Sequence, residues 1–439
     1  MNIIVCGGGI VGVTTLHSLI GDGHEVTLID RQSDVAMECS HANGGYVAIS
    51  QAVPWSSPGA PTKTLKSMAQ ADAPILLHLS QIPAIWRWGL EFMRCSRPGP
   101  SWENTRHILR LALYSFDALK VAREETGVRY DAVAKGCLKV FSDQMALDDA
   151  IATSDAQIPF GLTYRPLGPR ECLELAPALA PRIESLCGGI HYANEECGDC
   201  FAFARGIAAW CRERGALFAL STKVAAFERE GDRIVAALTD RGRMTADAFV
   251  LALGADSPRL TAPLGVRLPI IPVKGYSLTV PRALWPEAPD LPVLDEMRKF
   301  GYAPLGKDRL RMTGFAEIAG YDTVPRARRM RAFARAFTGL FPQLEDRLSR
   351  IDLKPFCCLR PVTPDGLPII GRSRFRNLYY NVGHGHLGWT LAHGSARIVA
   401  AAIAGRDPDI DATSYAPRRA AMPNRSSGRR DGPSGRTKG

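Results

Sequence analysis

Glycines at positions 7, 8, 9 and 12 separate a short apolar run (Ile3, Ile4, Val5, Cys6) from a helical pattern over 13–20, in which Leu16, Leu19 and Ile20 share one side. A second apolar run over 26–29 ends at Asp30. The order is strand, tight turn, helix, strand. It suits one piece of chemistry. A dinucleotide pyrophosphate comes close to backbone only where side chains are absent. A helix N-terminus offers it free N–H groups and a favourable dipole. Gly7 permits the tight turn, Gly9 leaves room for the pyrophosphate, and Gly12 lets the helix pack against the strand. Asp30 lies near the ~20-residue offset at which an acid takes the ribose hydroxyls. The expected dinucleotide contacts are therefore Ile3, Ile4, Val5, Cys6, Gly7, Gly8, Gly9, Ile10, Val11, Gly12, Val13, Thr14, Thr15, Leu16 and His17, with Asp30 and Arg31. The competing explanation is a glycine-rich loop with no nucleotide, and it leaves the acid at the end of a buried strand without a purpose. The pattern alone does not separate FAD from a nicotinamide dinucleotide.

Glycines recur far along the chain. The run over 248–253 reads as a strand that stops at Gly254-Ala255. A strand over 378–381 leads to Gly383-His384-Gly385-His386-Leu387-Gly388, ahead of a helix over 395–404. Two strand–glycine–helix ends in one chain fit one long cofactor better than two. The small, polar stretch over 38–51 reads as a loop beside the nucleotide, with Ser40, Asn43 and Gly44 in contact.

The elements that must position these residues follow from periodicity. Helices are expected over 104–125, with Ile108, Leu111, Ala112, Ser115 and Leu119 on one face and Gly127 as the stop, and over 201–214 and 326–341. Strand runs lie over 216–220, 224–227, 234–238, 268–280, 310–318 and 367–370. The stretch over 75–93 is apolar, aromatic and broken by Pro83. Its Trp86, Trp88, Phe92 and Met93 are expected mainly in the core, with a membrane surface or quinone as the alternative contact.

The 439 residues, 46% hydrophobic, are enough for two or three domains with substantial cores. No apolar run approaches the ~20 residues of a membrane span, and the N-terminus shows no basic leader region, so a cytoplasmic location is expected. The eleven cysteines are scattered and odd in number, which fits free thiols. Cys197/Cys200 and Cys357/Cys358 are close pairs without a partner at a zinc-like spacing, so no metal is expected. The net charge is +10, but 416–439 holds seven basic residues against Asp431 and so carries six of those charges. The basic balance is a tail effect and does not imply a nucleic-acid face.

Seven motifs together carry a resemblance: GGGIVGVTT with GHEVTLIDR, SHANGG, CGDC-F at 197–201, PVKGYS at 272–277, GFAEIAGYD at 314–322, LRPVTPDGLPIIG at 359–371 and NVGHGHLGWT at 381–390. The chain resembles the small-subunit type of FAD-dependent D-amino acid dehydrogenase, in the glycine oxidase/D-amino acid oxidase superfamily. The resemblance implies an α/β plus α+β fold. A Rossmann-like FAD-binding domain would be assembled from the discontinuous segments 1–65, 195–262 and 356–412. An antiparallel-sheet substrate domain would be built from 66–194 and 263–355, and a basic disordered tail would cover 413–439. The implied reaction is oxidation of a D-amino acid to an imino acid, which water converts to a 2-oxo acid and ammonia. FAD is expected to bind non-covalently. Electrons would leave to a respiratory acceptor, a quinone or membrane carrier, with peripheral contact at the cytoplasmic face of the plasma membrane. Cys358 stands where the family usually has Gly, and His386 where it has Thr.

Removing hydride from an α-carbon needs a flavin at the right distance, a neutral amine and a fixed carboxylate. Arg360 is the expected carboxylate grip, because a guanidinium offers a planar two-point contact and the arginine of the LRP motif faces substrate in the superfamily. Lys274 is expected near the flavin, tuning it. Tyr276 and Tyr302 are expected to line the pocket or donate to the carboxylate. His384 is placed near the flavin ring with proton transfer as a role, and Gly383, Gly385, Leu387 and Gly388 are placed with it at the cofactor. Alternatives are a related flavin enzyme acting on D-hydroxyproline, D-proline, glycine or sarcosine, a nicotinamide-dependent dehydrogenase, and a nucleic-acid-binding flavoprotein suggested by charge alone.

Overall fold

The apolar runs of the N-terminal unit become adjacent strands. Asn2–Cys6 pairs in parallel with Glu25–Ile29 on one side and Ala248–Leu251 on the other. Leu378–Val382 continues the sheet in parallel, Ile369–Arg372 closes it antiparallel, and Leu217–Ala219 forms the opposite edge. Three distant stretches of chain thus build one six-stranded sheet. These strands are apolar almost throughout, as strands covered on both faces must be. The structure, a computed structural model, describes residues 1–67, 72–350 and 355–420.

Two helices give the sheet its chemistry. Ile10–Gly21 begins immediately after Gly9, and Gly388–Ala404 begins immediately after Leu387. The second starts seven residues before the position read from periodicity, because the apolar pattern is continuous through Trp389 and Leu391 and no proline interrupts it. The two helices pack on each other, and Thr14 Oγ1 lies 3.2 Å from the Ala392 carbonyl, to which it donates. Cys200–Glu213 packs beside them, its N-terminus capped by Asp199, whose carboxylate accepts from the Phe201 and Ala202 N–H groups.

The second unit is a nine-stranded, largely antiparallel sheet. Its order runs Pro355–Val362, Ile271–Pro281, Arg309–Ile318, Phe300–Leu305, Val293–Asp295, Cys137–Phe141, Gly188–Tyr192, Arg165–Leu167, with Ile75–Leu77 beside the end of Arg309–Ile318. Pro355–Val362 belongs here, paired over its whole length with Ile271–Pro281. The return to the first sheet therefore begins after Val362, and the boundary at 356 is too early. The strands Val224–Glu230, Arg233–Thr239 and Gly242–Met244 form a small separate antiparallel sheet.

Two further expectations change. The stretch over 75–93 is not mainly core. Ile82–Cys95 is a helix with Trp86, Leu90 and Met93 about half exposed on one side. Trp88 faces the other way, stacked on Phe92 and donating to the Val362 carbonyl. The expected disorder from 413 onward is also overturned at its start. Tyr415 is fully buried, its ring edge-on to His107 and its hydroxyl donating to the His107 carbonyl at 2.7 Å. Residues 421–439 lie outside the described residues. Tyr415→Ala is expected to cost about 3 kcal/mol, the range for deleting a buried ring. Thermal unfolding would show a clear fall in midpoint, whereas an unchanged midpoint would place this segment outside the cooperative fold.

Candidate active site

A cleft of about 1970 Å³ opens between the two sheets. It exceeds the roughly 300–1,000 Å³ of ordinary small-molecule pockets. Its floor is the first glycine turn. Gly7 has φ +115°, and a Cβ there would collide with the Ala252 carbonyl of the neighbouring strand. A Cβ on Gly12 would overlap the Gly7 carbonyl, so Gly12 is what allows the helix to sit on the turn. Gly9 differs. A Cβ there would meet nothing nearer than Ser40 Oγ at 3.5 Å, an ordinary contact. The fold itself does not need glycine at 9.

Asp30 closes the turn from behind. Its Oδ2 accepts the Gly8 N–H at 2.6 Å and its Oδ1 accepts the Gln32 N–H at 2.8 Å. Burial raises its pKa, against the pull of those two N–H groups. Arg31 grips Glu38 with two nitrogens and Asp256 with a third, tying the loop after Gly254 to the loop after the second strand. Ser40 Oγ accepts the Ile10 N–H at 2.9 Å, and so occupies one of the first donors of the helix. Asn43 Oδ1 accepts the Gly45 N–H, and its carbonyl accepts from Arg311. Ser40 and Asn43 were expected to contact the nucleotide directly. Both line the cleft, yet the bonds they make brace the cradle.

The second glycine loop converges on the same space. Asn381 Nδ2 donates to Thr15 Oγ1 at 2.9 Å, which locks strand 378–382 to the first helix. Its Oδ1 is buried with no partner among the described residues, and the residue lies on the cleft wall. His384 Nε2 lies 3.1 Å from Ser395 Oγ. Ser395 Oγ also donates to the Ala392 carbonyl at 3.0 Å. Burial drives the His384 pKa down to about 3. His384 is thus a neutral ring near neutral pH, and a charged proton donor is not what this environment makes. His386, its pKa lowered to about 4 chiefly by burial, stacks on Trp55 at 5.3 Å.

Arg360 faces this loop. The Gly385 N–H donates to the Pro361 carbonyl, joining the loop to the arginine's strand. The guanidinium lies across Gly275 on the neighbouring strand. A Cβ there would come within 2.7 Å of Nη1, so the glycine of PVKGYS is the slot that the arginine occupies. A bulge in the next strand places Phe315 at φ +56°, and its carbonyl accepts Arg360 Nη1 at 2.7 Å. The Trp55 ring lies 6.0 Å from the guanidinium carbon. One end of the guanidinium is fixed on protein while the rest borders the cleft.

The other expected polar residues lie elsewhere. Strand alternation turns Lys274 to the opposite face from Arg360 and Gly275. Lys274 is fully buried and bonds Asp322 Oδ2 at 3.1 Å and the Val324 carbonyl at 3.2 Å. Tyr276 borders the cleft, but its hydroxyl donates to Glu317. Tyr302 is wholly in the core, edge-on to Trp285, with its hydroxyl on the Pro289 carbonyl. Neither Lys274 nor Tyr302 lines the cleft. Ile3, Ile4, Val5 and Cys6 are buried strand residues, and Val13 to His17 pack inside the first helix, so of the N-terminal series only Gly7, Gly9, Ile10 and Val11 border the cleft. Asp30, Arg31, Gly44, Gly254, Gly385, Leu387 and Gly388 border it too, whereas Gly8 and Gly383 stand behind it. Trp55, Asn381 and the Phe315 carbonyl were not foreseen as site groups.

Two helix N-termini, a glycine retained without a packing need and an unpartnered buried amide oxygen fit a dinucleotide stretched between the two loops. Gly9→Ala is expected to lower dinucleotide affinity at least tenfold, about 1.4 kcal/mol, while leaving the apoprotein's stability intact. Gly12→Ala is expected to destabilise the apoprotein itself by about 1–3 kcal/mol through overpacking. Cofactor retention on desalting, measured beside thermal unfolding of both apoproteins, separates the two roles; equal loss of stability in both would reject the distinction.

Known proteins bear on the same residues. The model of the DAO family, described as FAD dependent oxidoreductase, matches residues 2–402. A D-amino acid dehydrogenase of Paramagnetospirillum magneticum is 41% identical over 412 residues, 93% of this chain and 96% of that protein. One from Agrobacterium fabrum is 41% identical over 411 residues, 94% and 97% of the two chains. Among solved structures, L-proline dehydrogenase from P. horikoshii superposes with a TM-score of 0.74 at 21% identity over 95% of this chain and 97% of its own. Glycine oxidase from Bacillus cereus does so with 0.71 at 20% over 93% and 96%. These structural likenesses establish the shared fold. With the glycine cradle, the second glycine loop and the family match all falling on one chain, this protein belongs to the DAO family of FAD-dependent oxidoreductases.

Proposed function

We propose that this protein oxidises D-amino acids to imino acids, which water converts to 2-oxo acids and ammonia. The observation that carries the reading is the Arg360 guanidinium. It is held across Gly275 and against the Phe315 carbonyl, and it borders the cleft opposite the glycine loops. A fixed planar cation there binds a carboxylate at two points and sets the α-carbon's position. The names of the similar enzymes support the D-amino acid as substrate. FAD, when bound, supplies the acceptor for hydride from the α-carbon. The protein's own task is then positioning. Arg360 orients the carboxylate, the Trp55–His386 stack walls the pocket, and the neutral His384 adds no positive charge beside the amine. The test is anaerobic bleaching of the holoenzyme's flavin absorbance. D-alanine is expected to bleach it and L-alanine is not. Bleaching only by D-hydroxyproline, D-proline, glycine or sarcosine would move the assignment to that related activity. Arg360→Lys should raise KM for the D-amino acid about 100-fold, some 2.7 kcal/mol, with the flavin still bound.

We further infer that the electrons leave to a respiratory acceptor, a quinone or membrane carrier, while the protein rests on the cytoplasmic face of the plasma membrane. Among the described residues no helix is long and apolar enough to cross a membrane. What supports peripheral contact is the stripe Leu79, Ile82, Trp86, Leu90 and Met93, each at least 42% exposed. Arg87, Arg94 and Arg97 stand exposed along it. Apolar residues flanked by basic ones on and beside one helix suit an anionic lipid surface. Trp86→Glu with Leu90→Glu should cut sedimentation with anionic vesicles at least fivefold. Unaltered vesicle binding would remove the helix from this role.

A further inference from the structure

Two thiols meet inside the cleft. Cys39 lies on the loop that braces the cofactor cradle, between Glu38, which Arg31 grips, and Ser40, which accepts the Ile10 N–H. Cys358 lies on the strand of the substrate-side sheet, two residues before Arg360 and on the same face. Their sulfurs are 3.3 Å apart, with Cys39 donating to Cys358. Both are free, only partly buried and on the cleft wall, where a small solute reaches them. Nothing in the oxidation of an amino acid requires either one.

We propose that Cys39 and Cys358 form a dithiol that hydrogen peroxide closes to a disulfide, stapling the cofactor-side loop to the strand that carries Arg360. The surroundings divide the labour. The Cys39 S–H, then the positive charges of Arg360 and Arg311, hold Cys358 below the usual thiol range despite burial. Its bond to Cys358, then burial, pushes Cys39 well above that range. Cys358, on the same strand face as the Arg360 cation, is therefore the attacking sulfur. Its sulfur takes one peroxide oxygen, the O–O bond breaks, and the other oxygen leaves as water after taking a proton. The product is a sulfenic acid at Cys358. Cys39 then attacks that sulfur, its proton goes to the departing oxygen, and a second water leaves as the S–S bond forms. Two thiols supply two electrons to one peroxide, and the products are one disulfide and two waters. The bond joins positions 319 residues apart and links the two units across the cleft.

The experiment counts thiols and maps peptides, so it stands apart from any assignment of substrate. The purified holoenzyme is treated with a few equivalents of hydrogen peroxide, blocked with iodoacetamide, denatured and digested without reduction. Two of the eleven thiols should disappear, a Cys39–Cys358 linked peptide should appear, and dithiothreitol should restore both. In Cys39→Ser no linked peptide forms. Cys358 is then trapped by dimedone as sulfenic acid and proceeds to a sulfinic acid that dithiothreitol does not reverse. In Cys358→Ser, oxidation at Cys39 should slow at least tenfold. Absence of the linked peptide while other cysteines oxidise would overturn the proposal. So would a Cys358 in the Cys39→Ser protein that reacts no faster than the remaining thiols. If either variant fails to fold, mapping of the unaltered protein decides the question by itself.

Discussion

The close approach of the first helix to the chain around it is the constraint from which the site follows. Gly12 sits on the Gly7 carbonyl, Gly7 sits on the Ala252 carbonyl, and Thr14 bonds Ala392 on the C-terminal helix. The last two contacts join residues that are remote in sequence. Side chains at 7 or 12 would push apart the strands Asn2–Cys6 and Ala248–Leu251 or lift the helix from the turn. The Asn381–Thr15 bond would then lose its geometry, and with it the position of the second glycine loop. A site made from three stretches of chain depends in this way on contacts that leave no spare volume.

The first sheet and its glycine turn were legible because they are local. A βαβ unit declares itself within thirty residues through apolar runs, glycine spacing and a terminal acid. The second glycine loop was legible for the same reason. Strand register across distant segments was not. Nothing near Pro355 says that its strand pairs with Ile271–Pro281 and so leaves the nucleotide sheet until after Val362. The same gap hid the meaning of Gly275. The glycine is visible in PVKGYS, but only the pairing of Gly275 with Cys358 puts the Arg360 guanidinium over it. Trp55 and Asn381 were missed because a lone tryptophan after a proline and a lone asparagine in an apolar strand carry no pattern. The exposure of Trp86 and Met93 was misjudged because amphipathic periodicity gives a helix two faces and does not say which one the protein covers.

Lys274 shows how a residue in the right motif ends in another role. Side chains alternate along Ile271–Pro281, so the strand presents Gly275 to Arg360 on one face and Lys274 on the other. On that second face Glu317 is fully buried. It accepts from Tyr276 and from His78 at 2.6 Å, with Lys274 at 3.6 Å and Arg329 at 3.9 Å. Burial works to raise the carboxyl pKa, but these donors and cations hold it below its usual value. A buried carboxylate so surrounded adds little net stability over an apolar cluster, yet removing one member strands the others. Its value here lies in position. Phe315, whose carbonyl holds Arg360, is two residues before Glu317 on the same bulged strand. Anchoring Glu317 from four directions fixes that bulge, and the bulge fixes the guanidinium. The charges behind the sheet thus act on the carboxylate site through the backbone, without any of them entering the cleft.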